Sequence, residues 1–120
     1  MSIPTKLRMP PVRRETAQYL ILIGMEPADW TPANFNQLIL LCNMVSRALH
    51  HWPEYRAPHG GRYIQLLQLL QDARAAQRDT GQYQCDRSIL QSICPPLIDM
   101  ISRLSFQRYF LVQRDVERMT

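Results

Sequence analysis

The stretch TPANFNQLILLCNMVSRALHHWP, residues 31–53, decides the fold. Thr31 is a residue whose hydroxyl caps the orphan amides of a first helical turn, Pro32 follows where a missing N–H does no harm, and Pro53 closes the segment. On a 3.6-residue wheel Phe35, Leu38, Cys42, Val45, Leu49 and Trp52 form one stripe, which Leu41, Met44 and Ala48 widen well beyond a single face. Arg47 is the only fully charged residue between the two prolines. The pattern predicts a central helix over 32–52, packed on several sides.

Toward the N-terminus, Arg13 through Ile23 predicts a first helix that Gly24 ends in the left-handed conformation open to glycine. The run Tyr19 to Ile23 is also β-prone, and the alternative reading pairs it as a strand with Phe106 to Val112, but an isolated two-stranded pair is marginal, so helix is preferred for both. Toward the C-terminus, two prolines and two glycines make Pro53 to Gly61 a long connection, followed by a third helix from Arg62 to Arg78. Gly81 terminates it, and Asp86 caps a short helix from Arg87 to Ile93 that Pro95 and Pro96 must stop. Pro96 then starts a last helix carrying Leu97, Met100, Ile101, Leu104, Leu111 and Val112, with Phe106, Tyr109 and Phe110 off that stripe. The expectation is an all-α protein: a compact bundle of about five helices forming one domain over 13–120, preceded by a flexible, proline-containing basic arm over 1–12.

Hydrophobic residues at 46% and charged residues at 20% are globular values. The net charge of +4 resides in Lys6, Arg8, Arg13 and Arg14, because residues 15–120 hold ten arginines against ten acids. The body is therefore close to neutral and lacks the gathered basic charge of a nucleic-acid surface. Arginine supplies every cation but Lys6, a bias that GC-rich coding explains as well as any contact preference.

Cys42, Cys85 and Cys94 are an odd set without the density of a disulfide scaffold, which points to free thiols in a reducing, cytoplasmic setting. The five-residue apolar run after the basic N-terminus is too short for an export signal, and polar residues interrupt Phe35 to Trp52 too often for a bilayer span. Zinc-type ligand pairs, a nucleophile elbow and a phosphate loop are all missing, so neither metal, cofactor nor catalytic residue is expected. Cys94 before Pro95 has the look of a thiol at a helix start, yet packing is the commoner use of a free cysteine.

The most distinctive polar cluster is His50, His51, Trp52, Tyr55, Arg56, His59, Arg62 and Tyr63. Aromatics mixed with arginine suit an interface, which makes Tyr55, Arg56, His59 and Arg62 the candidate partner contacts; the plainer alternative packs Trp52 and Tyr63 inward and leaves the charges solvated. The expected function is a small non-enzymatic protein–protein interaction module, regulatory, inhibitor or adaptor-like, of the kind mobile elements encode. Its partner is another protein or, given the surplus apolar residues of helices two and five, a second copy of the chain in a homodimer. The alternative is a nucleic-acid-binding regulator using Lys6, Arg8, Arg13 and Arg14, although four charges give weak, salt-sensitive binding.

Overall fold

The computed structural model describes residues 14–119, so the basic arm, with Lys6, Arg8 and Arg13, lies outside the described residues. Five helices follow one another: α1 Arg14–Gly24, α2 Pro32–His51, α3 Arg56–Thr80, α4 Arg87–Ser102 and α5 Phe106–Arg118, with single 3-10 turns at Pro27–Asp29 and Pro53–Tyr55. The fold is the expected all-α bundle. No strand occurs among the described residues.

α2 sits at the centre and touches the other four helices. Its start is a reciprocal cap: the Thr31 hydroxyl accepts from the Asn34 amide at 3.1 Å, and the Asn34 side chain accepts from the Thr31 amide at 3.0 Å. Phe35, Leu38, Leu41, Cys42, Met44, Val45, Ala48 and Leu49 are all buried, while Asn36, Asn43, Arg47 and His50 keep one narrower side of the helix partly or fully exposed.

α1 is helical although its sequence is β-prone, because burial follows the helical period. Thr16, Tyr19, Leu22 and Ile23 are buried, whereas Ile21, which strand alternation would place beside Tyr19 and Ile23, is 66% exposed. Gly24 does not adopt positive φ; among the described residues only Gly81 does, at 85°. The last carbonyls of α1 are met instead by remote donors. The Trp30 indole reaches Leu22 O at 3.1 Å, Gln91 reaches Ile23 O at 3.2 Å, and the Arg87 guanidinium reaches Gly24 O.

Three expected boundaries move. The connection over 53–61 is mostly helix: after one 3-10 turn α3 begins at Arg56, with Pro58 in its first turn, where an amide is not needed, and Gly60 and Gly61 inside it. At the other end Gly81 closes α3 as expected, its amide bonding Gln77 O at 2.8 Å. Asp86 caps α4 as expected, accepting from the Ile89 amide at 3.1 Å, but α4 then continues through Pro95 and Pro96 to Ser102. Leu90, Ile93, Cys94, Leu97, Ile98 and Ile101 keep one unbroken helical phase across the two prolines and are all buried, and that burial outweighs the missing hydrogen bonds. The break falls later, at 103–105, where Ser105 caps α5 by accepting from the Arg108 amide at 3.2 Å. Phe106 to Val112 is therefore a separate helix rather than a strand or an extension from Pro96.

Tyr83, in the link between α3 and α4, is buried, stacks on Phe35 with ring centroids 4.7 Å apart and lies 6.3 Å from the Trp30 ring. These three rings close the core beside α2.

Two stability measurements check this account. A Cβ added at Gly60 or Gly61 meets nothing within 4 Å, so Gly60→Ala and Gly61→Ala are each expected to stabilise by up to ~1 kcal/mol through helix propensity, read as a higher urea midpoint. Leu38, fully enclosed on α2, is expected to lose about 2–5 kcal/mol as Leu38→Ala, with the slope of the transition unchanged.

Candidate functional site

The polar cluster picked out in the sequence does assemble, at the corner where α2 turns into α3. Ring contacts run round it from His50 to His51 (5.5 Å), to Trp52 (5.4 Å), to Tyr55 (6.3 Å) and on to His59 (6.3 Å). Its cations, however, hold the corner together. Arg56 donates from Nε to Leu49 O at 2.9 Å and from its guanidinium to His50 O at 3.4 Å, placing a positive charge on the negative end of α2. Arg62 donates to Pro58 O one turn back at 2.6 Å. The Tyr55 hydroxyl accepts from Arg108 of α5 at 3.2 Å, and the same guanidinium lies 4.5 Å above the Trp52 ring and 3.5 Å from the Glu54 carboxylate. His59 is half-buried, with Nδ1 enclosed and without a hydrogen-bond partner among the described residues; burial lowers its pKa, as does Arg62, while Asp99 opposes them.

Behind the corner lies a charged cluster absent from the sequence expectation. Asp115 of α5 accepts from His51 Nε2 at 2.6 Å and from Arg47 at 3.3 and 3.4 Å. The His51 hydrogen bond holds the Asp115 carboxyl below the ordinary carboxylate range, with the charges of His51 and Arg47 adding to it and burial opposing. A lone arginine on a largely apolar helix called for an acid nearby, but its partner stands 68 residues away.

A second surface is apolar. α5 buries Tyr109, Val112 and Val116 against the bundle and turns Phe106 and Phe110, 49% and 58% exposed, to the other side. A shallow groove along that side is lined by Gln107, Phe110, Leu111, Gln113, Arg114 and Glu117. On α1, Leu20 and Ile21 are also exposed, each beside a smaller groove, one against α4 and one against α2.

The thiols offer no activated nucleophile. Cys94 sits in mid-helix, not at a helix start, and burial pushes it up to about 12; Cys42 and Cys85 are pushed up to about 11, also chiefly by burial. All three are free. Among the described residues no three His, Cys, Asp or Glu side chains converge as metal ligands, and no helix is long and apolar enough to cross a membrane.

The arginines of the body are largely committed. Arg47, Arg87, Arg103 and Arg108 pair with carboxylates, Arg56 and Arg62 with backbone carbonyls, and Arg74 lies 5.2 Å over the Phe35 ring. Arg14 opens α1, the first of the four arm cations to fall within the described residues.

The depressed Asp115 carboxyl gives stability a definite pH dependence. Its contribution is complete above the unfolded aspartate value of about 3.9 and is lost as pH falls through the lower folded value, since the unfolded chain takes up the proton first. Thermal unfolding followed from pH 5 downward is therefore expected to show a falling midpoint for the native chain and a flatter profile for Asp115→Asn.

Comparison of the chain with protein-family models, with curated proteins and with solved structures finds no match.

Proposed function

We propose that this chain is a non-enzymatic helical interaction module, regulatory or adaptor-like in character, that meets a protein partner through the outer face of α5. The observation that carries this is the pair Phe106 and Phe110, one helical turn apart and each about half exposed, with Phe110 in a groove that Gln107, Gln113, Arg114 and Glu117 border. Aromatic anchors within a polar rim are the usual anatomy of a protein interface. With roughly half of each ring in water, the two expose on the order of 200 Å² of apolar surface. Covering that area is worth roughly 5 kcal/mol before the costs of association.

The corner at Tyr55, Arg56, His59 and Arg62 is less available to a partner. Binding there takes the Arg56 donors from the carbonyls of Leu49 and His50, or the Tyr55 hydroxyl that accepts from Arg108, and these contacts tie α2, α3 and α5 together. The outer face of α5 loses no described contact of Phe106 or Phe110 when it is covered. Thiols kept protonated by burial likewise favour binding over nucleophilic chemistry.

A photo-activatable residue at position 106, expressed in the source cell, tests the assignment. Covalent protein adducts are expected at position 106 and not at Arg78, an exposed control on α3. Adducts at neither position, or equally at both, remove this face as the binding surface.

A further inference from the structure

We propose that the outer face of α5 joins two copies of this chain in a two-fold dimer, α5 lying antiparallel to α5 of the partner with Phe110 on the axis. This rests on the face being an interaction surface and adds what occupies it. The observation behind it is the order of residues along that face. In an antiparallel pair centred on position 110, each residue meets the one equally far beyond Phe110 in the other copy. Phe110 then meets Phe110, Gln107 meets Gln113, and Phe106 meets Arg114.

Each of these pairings is chemically favourable. Two aromatic rings stack offset. Two side-chain amides each bring donors and an acceptor. A guanidinium over an aromatic ring is a contact already made twice among the described residues, Arg108 over Trp52 at 4.5 Å and Arg74 over Phe35 at 5.2 Å. The two-fold axis repeats both off-axis pairs, so the contact closes at two copies.

Charge is consistent with the same arrangement. Phe110 and its nearest neighbours on the face, Gln107 and Gln113, carry none. Arg114 stands four residues from the axis, so at 1.5 Å per residue its two copies are about 12 Å apart along the helices. That exceeds the Debye length of about 8 Å at physiological salt. A parallel pairing instead sets Arg114 directly against Arg114. A 13-residue helix pair, each helix about 20 Å long, covers less than the ~1,200 Å² of a stable standard interface, so the dimer is weak and concentration-dependent.

Sedimentation equilibrium of the full chain across the micromolar to millimolar range reads it out. The average mass is expected to rise from 14.1 kDa toward twice that value, and Phe110→Glu, which puts two carboxylates on the axis, to weaken association at least tenfold with an unchanged circular dichroism spectrum. Disulfide trapping reads the geometry, with the native thiols as background. Phe110→Cys is expected to oxidise to a covalent dimer, Phe106→Cys alone not to, and an equal mixture of Phe106→Cys and Arg114→Cys to cross-link.

A monomer at every concentration overturns the dimer, as does association unaffected by Phe110→Glu or self-trapping of Phe106→Cys as fast as Phe110→Cys. A photo-cross-link from position 110 to residues 1–13 of the same molecule also overturns it. Adducts confined to a foreign protein reject the dimer while leaving the interaction surface in place.

Discussion

Burial of the wide apolar face of α2 is the constraint from which the rest of the molecule follows. A helix apolar around much of its circumference needs neighbours on several sides, and α1, α3, α4 and α5 supply them. Its one full charge is met by the last helix. Arg47 needs an anion, and the carboxylate that meets it is Asp115, together with His51 one turn along α2. With Asp115 turned toward α2, the helical period puts Tyr109, Val112 and Val116 beneath α5 and Phe106 and Phe110 outside. The exposed aromatic face is thus what remains of α5 once its apolar stripe and Asp115 are turned toward the bundle.

The same economy appears at the helix ends. Long side chains from distant elements serve as caps: Trp30, Gln91 and Arg87 on α1, and Arg56 on α2. Each such bond satisfies a carbonyl and fixes the placing of one helix against another. The Arg-rich composition is accordingly spent inside the fold, and the near-neutral body is built from charges paired over long sequence distances as much as from balanced numbers.

Local signals were legible. Thr31 with Pro32, Gly81 and Asp86 act where the sequence places them, because a cap or a left-handed glycine depends on a few neighbouring residues. The errors lie where burial overrules local preference. Pro95 and Pro96 sit inside α4 because its buried apolar stripe continues on both sides of them, whereas Gly60 and Gly61 lie in the first turns of α3, ahead of its buried residues Leu66, Leu69, Leu70 and Ala73. The Ser105 break was hidden because apolar residues stand on both sides of it. At the candidate site, the aromatic cluster and the surplus of aromatics in the last helix were readable in one dimension. The commitment of Arg56 to α2, of Arg108 to Trp52 and of Asp115 to Arg47 was not, because each depends on where the helices come to rest.

Pro95 and Pro96 give α4 a particular kind of dependence on its surroundings. Without amide hydrogens at those two positions, Gln91 O and Ser92 O lose their helical partners, and the hydrogen-bond ladder of the continuous 16-residue helix is interrupted between two short stretches. Pieces of that length do not hold themselves together in water. α4 therefore has no structural autonomy: its conformation is lent to it by the helices that cover its buried stripe, and it has to form as they assemble, not before.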